Sequence, residues 1–388
     1  MVTMATADNA LKTAYLGVVS DQLNTTVNPL LARIKQTAED VWGKEIRKLA
    51  RYGINGGIGA GDEDGALPGA AGNNYEQFVL TLKNLYGTIE ISDKAMRASE
   101  SSSGAFVNLL NAEMEGLIKA SSYNFGRMLF GDGTGLLAHV TYDGKNVFTA
   151  DTVQALAEGM IVDISDGEGE FAVTGRRVIN VDRAQKKVTL DGATIGADVL
   201  PEECFMSLQN SAGLELTGFG AIFADDNVLY GVNRTKYSWM NPYIARSVGS
   251  ISESKIQKAI DYVEEVSGSR VNFIVCSWGV KRALAEYYAT YKQMADTIEI
   301  KGGYKAMSFN GIPVVADRFC PAGTMYLINT DDFCLHQLCA WQWLEGEDGK
   351  VLKQVPGKPV YTATLVKYAE LICNRPCGQA MLTGITEA

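Results

Sequence analysis

The stretch Gln77-Phe78-Val79-Leu80-Thr81-Leu82-Lys83-Asn84-Leu85-Tyr86-Gly87-Thr88-Ile89-Glu90-Ile91 decides the fold. Phe78, Leu80 and Leu82 alternate with Gln77, Thr81 and Lys83, the period of a strand with one buried face. Across Gly87 the apolar phase moves to Ile89 and Ile91, as a long strand with a bulge or bend would require. Upstream, residues 53–72 hold eight glycines, Pro68 and the acidic run Asp62, Glu63, Asp64. This segment reads as a flexible loop that cannot pack a core. Before it, Val41, Trp42, Ile46 and Leu49 fit a helix, yet Gly43 would cost a helix interior about 1 kcal/mol, so the pattern leaves 42–52 open. If the arms around the loop pair, they form a long hairpin. Eleven residues at about 3.3 Å each span roughly 36 Å, against a radius of gyration of about 21 Å for a compact body of this length. Such a hairpin would project and need a partner.

Working outward, Leu11, Tyr15, Leu16, Val19 and Leu23 recur at helical spacing, which predicts an amphipathic helix over 8–23. Asn28-Pro29 is an N-cap and first-turn pair, with Leu30, Leu31 and Ile34 continuing a second short helix. Downstream, Phe106, Leu109, Leu110, Met114, Leu117, Ile118, Phe125, Met128 and Leu129 predict the longest helix over 103–130, roughly 40 Å long, stopped by Gly131 and Gly133. From 149 to 209 short alternating runs punctuated by Asp166-Gly167 and Asp191-Gly192 predict a small all-β module. Beyond it, helices at 252–266 and 280–288 alternate with strands at 271–276, 312–315, 325–328 and 362–373, which predicts an α/β layer packed on one sheet. No repeat with a 20–50 residue period is visible.

Composition narrows the function classes. The chain has 388 residues and a formal net charge of −10. An acidic chain without a Lys/Arg cluster interleaved with aromatics argues against sequence-specific nucleic-acid binding. No stretch approaches the roughly 18–20 apolar residues needed to cross a bilayer, and residues 1–13 lack a basic region followed by an apolar run, which argues against a membrane protein or a secreted precursor. Seven cysteines, odd in number and dispersed, read as reduced thiols of a protein folded in a cytoplasm.

Candidate chemistry is sparse. The glycines of 53–61 superficially form a phosphate cradle, but no helix or Lys follows and three carboxylates do. Cys334, His336, Cys339, Cys373 and Cys377 are the best metal-ligand set. On a strand, however, Cys334 and Cys339 point to opposite faces, and buried thiols are the favoured reading. Only two histidines exist, His139 and His336, and no nucleophile elbow surrounds any candidate. Asp225-Asp226-Asn227 and Asp331-Asp332 do not match the spacing of a calcium loop and read as turns and caps. Trp341 and Trp343 share one face of a strand, where packing is favoured over a sugar platform. No catalytic residue, metal or cofactor is expected.

With the projecting hairpin, long helix and late α/β layer, the sequence resembles the major capsid proteins of tailed bacteriophages, the Hong Kong 97-type fold. The likeness is carried by Tyr52-Gly-Ile-Asn-Gly-Gly-Ile-Gly-Ala60, Tyr86-Gly-Thr-Ile-Glu-Ile-Ser-Asp-Lys-Ala-Met-Arg-Ala-Ser99, Asn310-Gly-Ile-Pro-Val-Val-Ala-Asp317 and Leu371-Ile-Cys-Asn-Arg-Pro376. The resemblance implies an α+β fold with an N-terminal arm (1–40), an extended E-loop (41–91) whose first strand includes 42–52, and a peripheral domain with its spine helix (92–149). An inserted small β domain (150–210), further peripheral segments (211–249 and 346–388) and an axial domain (250–345) complete it. It also implies subunit contacts through Leu11, Tyr15, Trp42, Lys44, Asp62, Glu63, Asp64, Tyr75 and Lys83. Lys83 could stand where some members crosslink to a neighbour, although no matching acceptor is evident.

The implied function is that of a structural shell protein, not an enzyme. It would assemble hexamers and pentamers into an icosahedral virion head around double-stranded DNA, in the cytoplasm of a bacterial host. Implied partners are a scaffolding protein, a portal and a head-maturation protease, with no membrane. The chain begins almost directly with the arm, so a separate scaffold or an already trimmed product is expected. Two alternatives stand beside this: an encapsulin-type compartment, and a soluble enzyme or carbohydrate-binding protein acting through the β insert.

Overall fold

A computed structural model describes residues 28–39, 41, 45–94, 103–167, 169–291, 297–300, 304–346 and 349–388. The helix expected over 8–23, with Leu11 and Tyr15, lies outside the described residues, as do Trp42 and Lys44. At 28–34 the expected second helix is a single turn. The amides of Ala32 and Ile34 donate to the carbonyls of Asn28 and Leu30 at 3.3 Å, and Leu30, Leu31 and Ile34 are buried. The chain then leaves the turn to form β1 (Lys35–Thr37), parallel to a strand at Phe333–Trp343. Sheet pairing ends what the local cap signal would have continued.

β2 (Glu45–Tyr52) and β3 (Asn74–Thr81) pair antiparallel from Glu45 opposite Thr81 to Tyr52 opposite Asn74. The segment left open by pattern is thus a strand from Glu45. β4 (Lys83–Ser92) follows after a break at Leu82. Phe78 and Leu80 are buried before that break and Leu85, Ile89 and Ile91 after it, so the apolar phase shifts at Leu82 and not at Gly87. Gly87 instead lies on the buried face, where a Cβ would come within 2.9 Å of Leu117 Cδ1 and 3.2 Å of Ser121 Oγ. Its missing side chain admits the long helix α1 (Ser103–Met128). α1 therefore lies across the sheet that β4 enters.

The β module begins earlier than expected, at Leu136 in place of 150. β5 (Leu136–Gly144), β6 (Val147–Ala150), β7 (Ile161–Ser165), β8 (Phe171–Asp182), β9 (Lys187–Leu190) and β10 (Cys204–Leu208) close into a six-stranded barrel. Its interior is filled by Val140, Phe148, Val162, Ile164, Val178, Val188, Leu190 and Met206. Closure leaves no unpaired edge. The barrel is tied to the body by Gln154, whose amide donates to the carbonyls of Arg318 (2.5 Å) and Cys320 (2.8 Å).

After a short helix α2 (Phe219–Ile222) come the small pair β11 (Val228–Leu229) and β12 (Val232–Asn233), then β13 (Tyr243–Ala245), α3 (Glu253–Ser267), β14 (Phe273–Cys276) and α4 (Trp278–Tyr291). Next are β15 (Thr297–Ile300), β16 (Tyr304–Phe309), β17 (Ile312–Ala316), β18 (Met325–Ile328), β19 (Phe333–Trp343), β20 (Lys353–Gln354), β21 (Val360–Cys373) and β22 (Ala380–Leu382). These strands divide between two sheets, which corrects the expectation of one. β13-β22-β18-β14-β17-β16-β15 form a seven-stranded sheet, whereas β19 and β21 join β1, β4 and β20 in a second. The stretch 333–343 therefore leaves the expected 250–345 unit, and 243–245 and 380–382 enter it. Alternation along β14 and β18 shows why the seven-stranded sheet is buried on both faces. Ile274, Cys276, Met325 and Leu327 pack with Ile256, Ile260 and Val263 of α3. Phe273, Val275, Tyr326 and Ile328 face the core shared with α1 and the long sheet.

The end of α1 is capped by a different part of the chain. Phe219 and Gly220 donate their amides to the carbonyls of Leu129 (2.8 Å) and Gly131 (3.0 Å), which a helix end leaves unsatisfied. Gly218 makes this approach possible, because a Cβ there would lie 2.6 and 2.7 Å from the carbonyl oxygens of Leu129 and Gly131 and would also meet that of Met128. Backbone cannot yield as a side chain would. Gly218→Ala is expected to lower stability by about 1–3 kcal/mol, read as a lower denaturant midpoint at unchanged slope. A midpoint equal to the parent's would show that the helix end is not so constrained.

Candidate assembly interface

Beyond β2 and β3 the chain continues as a two-limbed finger, residues 53–73, closed at its tip by Gly65 donating to the carbonyl of Asp62 at 3.1 Å. The limbs touch. Asn55 Nδ2 donates to Asn73 Oδ1 at 3.3 Å and Asn74 Nδ2 to the Ile54 carbonyl at 3.4 Å. A Cβ on Gly57 would stand 3.2 Å from the Ala71 amide, and one on Gly59 3.1 Å from Pro68. The glycines are thus what lets two limbs run side by side, which a reading of them as a merely flexible loop does not capture. Each limb can reach at most about 30 Å.

What the finger exposes is apolar. Ile54 is 76%, Ile58 75% and Leu67 91% accessible. At the tip Asp62, Glu63 and Asp64 are exposed. The outer face of the hairpin adds Leu49, Tyr75 and Val79 between Arg47 and Arg51. Burying a side chain such as Leu67 is worth about 1.5–3 kcal/mol, and nothing among the described residues covers it. The sequence reading marked the carboxylates and Tyr75 but passed over Ile54, Ile58 and Leu67. Their signal is legible in retrospect, since three large apolar residues stand in a segment that has no core to enter.

The root of the hairpin is rigid where its tip is exposed. Tyr52 stacks on Trp239 with centroids 5.2 Å apart, and Phe78 meets Tyr230 at 5.5 Å. The Val79 amide donates to the Tyr230 carbonyl at 2.9 Å. The expectation that the whole hairpin projects is therefore corrected. The hairpin's inner face, with Ile46, Phe78 and Leu80, is core, and only the finger stands clear.

Lys83 is not on the finger. It is half-buried at the start of β4, opposite Ala369 in the long sheet, where its ammonium acts on the carboxyl of Glu370. Glu370 is buried and accepts the amides of Thr217 (2.8 Å) and Leu371 (3.0 Å), with His336 directly opposite on β19. Burial pushes its carboxyl up to about 7, while the two amides and Lys83 pull it down. Nearby, burial draws the Lys367 ammonium down to about 8; Lys367 lies 5.3 Å from the centroid of Phe125 on α1. Elsewhere Arg127 at the end of α1 forms a buried ion pair with Glu215. Among the described residues no group of three or more His, Cys, Asp and Glu side chains is placed to hold a metal ion. Burial raises the thiols of Cys320 and Cys373, and that of Cys276 to about 12, which keeps them out of the nucleophilic thiolate form.

No family model matches the chain, and no characterised protein matches its sequence. Solved structures do. The capsid subunit of cyanophage A-1(L) superposes with a TM-score of 0.57 at 12% identity over 94% of each chain. The chain has a phage major capsid protein fold. The holo encapsulin complex of Synechococcus elongatus gives a TM-score of 0.46 at 10% identity over 95% of each chain. The satellite phage P4 procapsid gives 0.43 at 11%, over 96% of this chain and 90% of that one. Among the described residues the three most exposed large apolar side chains, Leu67, Ile54 and Ile58, all stand on the finger. No helix among the described residues is long and apolar enough to cross a membrane.

Burial of Glu370 raises its carboxyl, which fixes a pH dependence. Its folded value of about 7 lies above the ordinary 4.5, so the stability it lends is full below about pH 4.5 and is lost as pH rises through about 7. Glu370→Gln, a neutral isostere, should remove a loss on the order of 3 kcal/mol across that window. Retaining His336 isolates the carboxyl's share. Denaturant melts near the two sides of that window, at about pH 5 and about pH 8, check this, and equal pH slopes for parent and variant would refute it.

Proposed function

We propose that this chain is a major capsid protein that self-assembles as hexamers and pentamers into the icosahedral head of a tailed bacteriophage, enclosing double-stranded DNA. The observation that carries the reading is the finger, an apolar surface outside the subunit core on a chain with a capsid fold. A second copy is the partner such a surface needs, with the finger acting as the E-loop and the amphipathic segment before Asn28 as the arm. On this reading α1 is the spine helix, the seven-stranded sheet forms the axial domain and the barrel is a surface insertion. The role is structural. Partners are a scaffolding protein, a portal and a head-maturation protease, and the location is the virion after assembly in the host cytoplasm. The net charge of −10 suits a lining that surrounds packaged DNA without gripping it.

Negative-stain microscopy with sedimentation tests this on the chain expressed alone and with its genomic neighbours. Closed shells, tubes or capsomers are expected. A persistent monomer in both settings would overturn the reading, and shells filled with a cargo enzyme would replace it with an encapsulin.

The finger is tested separately by Ile58→Asp with Leu67→Asp, and by removal of residues 54–73. Both side chains are exposed in the subunit, so its melting should stay within about 0.5 kcal/mol of the parent while closed shells are lost. Shells of normal form from either variant would sink the finger's role.

A further inference from the structure

The chain contains two Asn-Gly pairs, Asn55-Gly56 and Asn310-Gly311. Without a Cβ on the following residue, nothing shields the backbone nitrogen from the preceding amide carbon, so such pairs are open to intramolecular attack. The two pairs sit in opposite settings.

Asn310 and Gly311 are the turn between β16 and β17, with φ of 49° and 80° and Phe309 registered opposite Ile312. Ladder bonds on both sides hold this turn in its left-handed form. The Asn310 side chain is tied down as well, Nδ2 donating to Gln257 Oε1 on α3 at 2.9 Å. Reaching the geometry for ring closure would require leaving both restraints.

Asn55 and Gly56 lie in the finger. Asn55 is exposed, and its Oδ1 accepts the Gly57 amide at 2.9 Å. That bond draws electron density from Cγ and folds the side chain back over the peptide that contains the Gly56 nitrogen. Among the described residues no hydrogen bond occupies the Gly56 N–H, and neither residue belongs to a ladder. The weak tether from Nδ2 to Asn73 Oδ1, at 3.3 Å, is the restraint to be lost.

We infer that Asn55 is a site of spontaneous deamidation in the finger and that Asn310 is protected from it. The Gly56 nitrogen attacks Asn55 Cγ and gives up its proton. The Cγ–Nδ2 bond breaks, ammonia leaves, and a five-membered succinimide closes. Water then adds to either ring carbonyl, opening it to aspartate or isoaspartate. No oxidant or cofactor enters the balance. The product replaces the donor to Asn73 with a carboxylate and adds a fourth negative charge to a finger that already carries Asp62, Glu63 and Asp64. In the isoaspartate product the limb also lengthens by one methylene, at the point where the two limbs meet. Deamidation thus acts as a one-way charge switch in the subunit's exposed apolar finger.

The experiment incubates the purified full chain in mildly alkaline buffer, digests samples over time and quantifies both Asn-Gly peptides by mass spectrometry. Gly56→Ala is run in parallel. Its Cβ would meet Ala71 Cβ at 3.4 Å, an ordinary contact, so the finger is retained while the attacking nitrogen gains a neighbouring methyl group. Asn55 is expected to convert about tenfold faster than Asn310, equivalent to ~1.4 kcal/mol of barrier, and Gly56→Ala should slow Asn55 by a similar factor. Equal rates at the two sites, faster loss at Asn310, or a Gly56→Ala chain that converts as fast as the parent would each overturn the inference.

Discussion

The ladder between β4 and β21 is the constraint from which the rest follows. It runs without a register shift from Lys83 opposite Ala369 to Ser92 opposite Val360, joining segments far apart in the chain. Its register is strongly specified. A slip of one residue would turn Leu85, Ile89 and Ile91 outward and bring Asn84, Thr88 and Glu90 onto the face that α1 covers. Because β3 runs into β4 with only Leu82 between them, the hairpin and its finger inherit their direction from this ladder. The finger is a cantilever, rooted by Tyr52 on Trp239 and by Val79 on Tyr230.

A second set of long-range contacts fixes α1 on that sheet. The segment 215–220 bonds to both, pairing Glu215 with Arg127, giving its Thr217 amide to Glu370 and its Phe219 and Gly220 amides to the helix end. A buried ion pair is a poor source of stability once its desolvation is counted. Glu370 is costly in the same sense, held near neutrality against its own ionisation. What these groups supply is definition. The amides of Thr217, Phe219 and Gly220 are committed to these acceptors, so α1, β21 and the connecting segment are tied into one arrangement.

Where the fold was legible in sequence, the signal was local. The strands at Lys187–Leu190 and Met325–Ile328 fall where their short runs of strand-forming residues place them, and α1 ends within two residues of its expected stop, because a 3.6-residue period needs no partner to be read. The misreadings concern what a residue meets across the fold. Gly87 looked like a bend because its contact with Leu117 and Ser121 is invisible in sequence. β5 was missed as the barrel's first strand because it is defined by pairing with β10, more than fifty residues on. β21 was placed with the wrong sheet because an apolar strand carries no mark of its neighbours. Of the candidate interface, Asp62, Glu63, Asp64 and Tyr75 were legible as exposed. The pairing of the finger's limbs was not, since it depends on Gly57 and Gly59 facing Ala71 and Pro68.

For a shell, the decisive property of such a finger is that it is already formed in the free subunit. A flexible loop would have to be ordered on contact at roughly 1–2 kcal/mol per residue of backbone, which would consume what burial of Ile54, Ile58 and Leu67 returns. The cross-limb hydrogen bonds and glycine contacts meet that ordering cost during folding, leaving the burial term for association. In the assembly proposed above, each contact would remain weak, a few apolar side chains opposed by repulsion between subunits of net charge −10. That repulsion is screened over about 8–10 Å at ordinary salt. Weak contacts repeated around a closed surface can dissolve and re-form while the surface is incomplete and hold collectively once it is closed. A larger apolar patch would bind tightly at the first encounter and fix errors in place, so the modest size of the finger's exposed surface is what a self-correcting assembly requires.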